Sequence, residues 1–181
     1  MHPVELARLL QNLIRLGNVA KVDHAAVRVR VQCGALLTDW VPWLEARAGA
    51  TRSWNPPTVG EQVVLLSPGG ELRGAVVLCA VNSNACPAPT NTPTLTHWRM
   101  PDGAVLEYDH DAHHLRADLP GSASITAPKG MIVTGPVTIE GTLHVTKAIT
   151  TPADVTAAGI SLVNHKTTGV KSGSDKSGPP A

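Results

Sequence analysis

One segment of the sequence alternates between apolar and polar residues and has no helical pattern nearby that would cover its apolar side. Val137, Ile139, Leu143 and Val145, here called the aliphatic stripe, fall on one face, and threonine dominates the other. A period of two is typical of a β-strand with one buried face. We therefore expect copies of the chain to cover the stripe. Three chains wound about a common axis would bury it as the core of an intertwined trimeric β-helix or β-prism.

Weaker alternation surrounds the stripe. It occurs at residues 104–108, 114–119, 124–126 and 131–134, with Gly or Pro between most of these stretches. No helical period is present between residues 98 and 163, so we predict a β-structured domain over this range. The C-terminal tail, residues 164–181, is rich in Gly, Ser and Lys and carries few apolar residues.

The first half of the chain has a different pattern. Residues 1–16 place apolar side chains at helical spacing, and Gly17 follows where a helix often ends, so we predict a short N-terminal helix. Short strand patterns separated by turns over residues 17–83 predict a small antiparallel barrel of the OB type. Residues 84–97 contain three prolines and predict an extended linker. The predicted fold is therefore mainly β.

An OB barrel admits a nucleic-acid-binding or glycan-binding module as an alternative function. The chain has 15 Lys and Arg against 14 Asp and Glu, and residues 91–163 hold four basic and seven acidic residues. A surface that neutralises many phosphates needs a basic surplus. The charge balance therefore disfavours a nucleic-acid partner.

Several motifs resemble the OB domain of the baseplate assembly protein V family. They are Gly17–Val19, Val27–Val31, Thr38–Trp43, Trp54–Val63 and Leu66–Leu72. That family supplies the central spike of contractile phage tails and R-type pyocins and is related to the VgrG spikes of type VI secretion. The resemblance implies a homotrimer with a collar attached to tail tube or baseplate hub proteins. It also implies a rigid spike that pierces the target bacterial outer membrane when the sheath contracts.

We expect this spike to be a structural protein and not an enzyme. Some larger members of the family carry a lysozyme domain between collar and β-helix, but the linker at residues 84–97 has no room for one. The N terminus lacks the pattern of a secretion signal, and the longest apolar run, Ala75–Val81, is too short to span a bilayer. We therefore expect synthesis in the cytoplasm, assembly into a virion or tail-like particle, and action at the target cell envelope.

The resemblance also implies a metal site at the tip. Related spikes carry an HxH motif whose six imidazoles per trimer hold an axial iron ion. Here the motif reads His165-Lys166-Thr167, so a threonine replaces the second histidine. Three copies of His165 would need water, chloride or Thr167 to complete an octahedral site. Axial binding of iron or another transition metal is one interpretation, and a metal-free tip histidine is the other.

Two further groups of residues are candidates for binding sites. Trp40, Trp43 and Trp54 allow a stacking platform for bases or sugars, but the adjacent prolines favour packing of a loop. Residues 107–114 hold the densest cluster of acidic and histidine side chains, including His110, His113 and His114. Neighbours along a hairpin point to opposite faces, so we predict a turn there and leave the role of the histidines open. We identify no catalytic residue.

Overall fold

The computed structural model of the protein describes residues 2–166 and residue 173. The chain divides into two compact units, Met1–Ile125 and Thr126–Ala181. In the part of the chain that the structure describes, no helix combines the length and the apolar character needed to cross a bilayer.

The N-terminal helix, α1, spans Pro3–Asn12. It begins at His2, whose Nδ1 accepts a hydrogen bond from the backbone N–H of Val4 (3.4 Å), and Pro3 occupies the first turn, where a missing N–H costs nothing. The prediction of helix up to residue 16 is wrong. Ile14 and Leu16 belong to a strand that pairs with a neighbouring strand. An apolar-polar-apolar triplet is compatible with a strand as well as with a helix, so the pairing decides between them.

A five-stranded antiparallel sheet forms the OB domain. Its strands, in spatial order β3-β2-β1-β4-β5, are β1 (Ile14–Asp23), β2 (Arg28–Cys33), β3 (Leu36–Leu37), β4 (Gln62–Leu66) and β5 (Val76–Val81). Two short 3₁₀ turns, Pro68–Gly70 and Leu72–Gly74, connect β4 to β5. The prediction of a mainly β chain with a short helix and an OB-domain sheet is confirmed.

The core of the OB domain is aliphatic. Alternate residues of β2 and β4 are buried, residues outside the five strands also contribute, and Trp43 is the one aromatic residue of this core. The buried hydrophobic residues of this core are Val19, Val29, Val31, Cys33, Val41, Trp43, Val63, Leu65, Ala75 and Val77. The alternation along β2 and β4 follows from the pleat, which turns successive side chains to opposite faces.

A second, three-stranded antiparallel sheet follows in the same unit. It consists of β6 (Leu95–Arg99), β7 (Val105–Asp109) and β8 (His114–Asp118), paired in chain order. β7 and β8 coincide with the alternation at residues 104–108 and 114–119, so these two strands are confirmed. β6 begins inside the range assigned to the linker, because Leu95 pairs with Asp109.

The second unit contains one short hairpin among its described residues. β9 (Thr156–Ala157) pairs with β10 (Ile160–Ser161) across a turn in which Ala158 and Gly159 adopt positive φ. Residues 119–155, all of them described, belong to no strand within the single chain. This range includes the alternating stretches at 124–126 and 131–134 and the aliphatic stripe, so these segments form no strand pairs with their own chain.

Candidate functional site

The aliphatic stripe is exposed along its whole length in the single chain. Val137, Ile139, Leu143 and Val145 keep 63%, 54%, 62% and 43% of their surface accessible. Ile132, in the preceding segment, is 93% exposed. Soluble monomers rarely leave a long run of aliphatic side chains in water, and such surfaces mark interaction sites. The pattern in the sequence and the lack of cover in the structure therefore identify the same surface.

His165 follows the β9–β10 hairpin and is held by its own backbone. Its N–H donates to the carbonyl oxygen of Ser161 (3.1 Å). Its ring Nδ1 lies 3.1 Å from that same oxygen and 3.2 Å from the carbonyl oxygen of Leu162. A protonated Nδ1 donates to these carbonyls, which leaves Nε2 as the nitrogen with a free lone pair. Thr167, the other candidate at the tip, lies outside the described residues.

Asp154 fixes the loop that leads to His165. Its Oδ1 accepts a hydrogen bond from the N–H of Val163 at 3.1 Å. Hydrogen bonds from the Ser161 hydroxyl, the largest effect, and from backbone N–H groups lower the pKa of the Asp154 carboxyl. The carboxylate thus ties the two ends of the hairpin together.

The structure separates the three tryptophans of the OB domain. Trp43 is 5% exposed and belongs to the core, whereas Trp40 and Trp54 are exposed. The Trp54 ring packs at a tilt on Trp43, with 5.7 Å between the ring centroids. The three side chains therefore do not form one stacking surface, and the interpretation as loop packing describes Trp43 and Trp54.

Glu45 organises the loop between Trp43 and Asn55, a role that we did not predict from the sequence. Its carboxylate accepts hydrogen bonds from Trp43 Nε1 (3.0 Å), Ser53 Oγ (2.8 Å) and the Asn55 N–H (2.9 Å). These donors, the Asn55 N–H first, lower the pKa of the Glu45 carboxyl. An acidic residue between a tryptophan and the loop at residues 46–57 is the available signal, but spacing alone does not reveal which donors converge on it.

The acidic and histidine cluster at residues 107–114 is split between a sheet and a turn. Asp109 Oδ1 accepts from the backbone N–H groups of Asp111 (3.0 Å) and Ala112 (3.2 Å), which confirms the predicted turn. The N–H of Ala112 contributes most to the lowered pKa of Asp109. His110, His113 and His114 are exposed. Within residues 2–166, no three His, Cys, Asp or Glu side chains come together as a metal site.

Glu107 lies on the face of the second sheet that contains His97 and Arg116. His97 Nδ1 lies 2.9 Å from Glu107 Oε2, and Arg116 Nη1 donates to Oε1 at 3.3 Å. The hydrogen bond from His97, ahead of that from Arg116, lowers the pKa of the Glu107 carboxyl. Glu107 therefore forms a hydrogen bond with His97 and an ion pair with Arg116 on this face of the sheet.

Comparisons with known proteins agree with this architecture. Residues 15–81 match the family model of the type VI secretion system/phage-baseplate injector OB domain, and residues 159–181 match the GpV Apex motif. The spike protein of Escherichia phage P2 is 45% identical over 133 residues, which cover 74% of this chain and 63% of that protein. The chain thus spans less than two thirds of the length of this relative. On these matches, the chain belongs to the baseplate assembly protein V family of phage spike proteins.

Proposed function

We propose that the protein is the central spike at the tip of a contractile tail tube and acts as a homotrimer. The observation that carries this proposal is the exposed aliphatic stripe in a chain of a spike family. Three copies would cover the stripe, and pairing between chains would supply the strand partners that residues 119–155 lack in the single chain. The trimeric β-helix belongs to this proposal.

The proposed mechanism is mechanical. A structure in which each backbone is hydrogen-bonded to two other chains is stiff, because no segment bends without breaking pairs to its neighbours. Such a spike transmits the force of sheath contraction to the target outer membrane without a catalytic residue. In this scheme residues 17–83 form the collar, which contacts the tail tube or baseplate hub proteins. Residues 84–97 link the collar to the shaft at residues 98–163, and residues 164–181 form the tip.

The proposed tip contains an axial metal ion bound by three copies of His165. Support comes from the orientation of the ring: Nδ1 lies within hydrogen-bonding distance of two backbone carbonyls, and the other nitrogen is the one available to a metal. Imidazole is a ligand that suits iron and other transition metals. When bound, the ion would cross-link three chain ends where aliphatic cover runs out.

Light scattering on the purified protein tests the trimer. The expected mass is about three times the 18.9 kDa of the chain. A folded monomer that persists at micromolar concentration would contradict the proposed function. The measurement requires no mutation, so a failure to fold cannot be mistaken for a failure to assemble.

A further inference from the structure

A cleft of about 670 Å³ lies between the OB domain and the β6–β8 sheet, within the unit Met1–Ile125. Pockets of roughly 300–1,000 Å³ are typical of small-molecule sites. One wall is the loop that Glu45 fastens, which contributes Trp54 and Asn55, and the other is the stretch 97–100 at β6. Neighbouring residues of a strand point to opposite faces, so a run of consecutive lining residues shows that the cleft follows an edge of β6.

Each wall of the cleft contributes one indole ring. Trp54, on the OB loop, is 58% exposed, and Trp98, on β6, is 65% exposed, so both rings are accessible although they line the cleft. Trp54 is also held in place by its packing on Trp43. The C–H groups on one face of a pyranose ring form a flat apolar patch, which stacks on an indole with little loss of side-chain freedom. Two accessible indoles in one cleft therefore favour a sugar ligand.

The free edge of β6 supplies polar groups, because β6 pairs only with β7 in its sheet. Met100 donates its N–H to the carbonyl oxygen of Ala104 (2.8 Å), which marks a hydrogen-bonded pair of the β6–β7 hairpin. His97 and Arg99 alternate with such pairs, so their backbone N–H and C=O groups point away from β7 towards the free edge. The exposed side chains of Asn55 and Arg99 add an amide and a guanidinium. Sugar hydroxyls both donate and accept, and this edge offers partners of both kinds.

The remaining lining narrows the class of ligand. Leu44 and Met100 place apolar side chains in the same cleft. An N-acetyl group carries a methyl group that packs on such side chains and an amide that pairs with backbone N–H or C=O groups. A nucleobase also stacks on an indole, but residues 91–163 hold four basic and seven acidic residues, which disfavours a phosphate backbone. The lining therefore favours an N-acetylated sugar over a nucleotide.

We propose that the cleft between Trp54 and Trp98 binds a glycan segment that contains N-acetylhexosamine. The sugar ring stacks on the two indoles, and its hydroxyl and amide groups pair with the free edge of β6 and with Asn55 and Arg99. The site itself does not depend on the trimer. Only the source of the sugar rests on the proposed function: a spike that crosses an outer membrane meets surface polysaccharide and peptidoglycan, and N-acetylhexosamine is common to both.

Isothermal titration calorimetry of the full-length assembled protein with chitotetraose, a tetramer of N-acetylglucosamine, tests the site. We expect Trp54→Ala and Trp98→Ala to weaken binding by about tenfold each, because each removes a stacking surface. Trp40→Ala is the matched control, since Trp40 is exposed and lies outside the cleft, and it should bind like the wild-type protein. Trp98→Ala decides the question if Trp54→Ala, which also removes the contact with Trp43, fails to fold.

Two results would overturn the inference: no binding of chitotetraose by the wild-type protein, or the same affinity in Trp98→Ala as in Trp40→Ala. Maltotetraose, which lacks N-acetyl groups, should bind more weakly, and equal affinity would overturn the assignment to N-acetylhexosamine. Light scattering is recorded on the same samples. A trimer that binds no glycan overturns the inference and leaves the proposed function intact, whereas a monomer that binds chitotetraose does the reverse.

Titrations with solubilised peptidoglycan fragments and with O-antigen polysaccharide that contains N-acetylhexosamine distinguish the two sources. Binding of either one that is lost in Trp98→Ala and kept in Trp40→Ala supports the site and identifies its source. Binding of both polymers that is unchanged in Trp98→Ala takes place elsewhere on the protein and contradicts the site.

Discussion

At the scale of single residues, one carboxylate holds the longest loop of the OB domain in place. Glu45 collects three donors from Trp43, Ser53 and Asn55, and without it the indole N–H of the core tryptophan loses its acceptor. A buried or half-buried donor left without a partner is costly. The Trp43–Trp54 contact depends on this arrangement, because Trp54 belongs to the loop that Glu45 fastens.

We therefore expect Glu45→Ala to lower the melting temperature of the OB domain and to shift tryptophan emission to longer wavelength as the loop moves away from Trp43. The matched control is Glu71→Ala, which removes only an exposed ion pair with Arg8 (3.1 Å) and should change the melting temperature little. Thermal unfolding followed by fluorescence compares the two. Equal effects of both substitutions would show that the hydrogen bonds of Glu45 do not stabilise the loop.

The tryptophans also show what sequence patterns resolve at this scale. The prolines around Trp40, Trp43 and Trp54 indicate packing, and two of the three do pack on each other. Which indole enters the core depends on strand contacts made elsewhere: Leu44 donates its N–H to the carbonyl oxygen of Val77, and this contact draws Trp43 inward. Such long-range contacts leave no local signal.

At the scale of secondary-structure elements, Gly17 shows how one residue type supports two interpretations. A glycine after an apolar helical pattern predicts a helix end, but Gly17 lies in the middle of β1. A Cβ at this position would lie 2.6 Å from both Cys33 Sγ and Val31 Cγ1 and 2.8 Å from the carbonyl oxygen of Gln32. The glycine is there because β2 approaches closely, a fact that only the paired sheet reveals.

Gly17→Ala should therefore destabilise the protein by about 1–3 kcal/mol, the usual cost of forcing an extra methyl group into a packed core. Gly49→Ala is the control, because no atom lies within 4 Å of the position that its Cβ would occupy and the loop has space for a methyl group. Its free energy of unfolding should change by less than about 0.5 kcal/mol. Urea denaturation of both variants decides between close packing at β1 and an error in the strand assignment.

The contacts of Glu107 with His97 and Arg116 on β6–β8 predict a pH dependence. The pKa of Glu107 is held below the ordinary glutamate range by His97 first and Arg116 second. A lowered pKa in the folded state contributes stability that is complete above the ordinary glutamate pKa, about 4.3, and is lost as the pH falls through the lower folded-state value. We expect Glu107→Gln to reduce stability at neutral pH and to flatten this acid-range loss.

Melting temperatures between about pH 3 and pH 7, a range that spans the glutamate titration, measure the effect. Asp111→Asn is a suitable control, because the Asp111 side chain is 75% exposed and its contact with His110 is long at 3.6 Å. Parallel pH profiles for the wild-type protein and Glu107→Gln would contradict a role of Glu107 in this pH dependence.

At the scale of the whole molecule, the sequence identifies the apolar face of the stripe, and the burial of that face by other copies of the chain stays a prediction. Alternation of Val137, Ile139, Leu143 and Val145 with threonine identifies one apolar face from the local pattern alone. Burial of this face requires other chains, because residues 119–155 form no strand within the single chain. The OB domain was predictable in more detail, because its core closes within one chain.

Adjacent residues of the stripe segment allow a matched test of the trimer core. Ile139→Asp would bury three unpaired carboxylates per trimer, each costing several kcal/mol, whereas Thr138→Asp places the same charge on the outward face. We expect Ile139→Asp to abolish the trimer or to melt far below Thr138→Asp. Light scattering and thermal melting measure this difference. If the two variants assemble and melt alike, the face assigned to the core is wrong.

The tip carries the last prediction, since three converging chain ends have little aliphatic cover and an ion bound by three imidazoles is a compact way to join them. Protein purified without a histidine tag should contain about one transition-metal ion per three chains by elemental analysis, and His165→Ala should remove it. His144→Ala, an exposed histidine beside the stripe, is the control and should retain the metal. Lys166 is exposed, and its ammonium group would repel the bound metal ion. This repulsion weakens as the side chain extends away from the ion into solvent. A trimer free of metal, with the same stability in His165→Ala, would show that the ring of His165 has no ligand role.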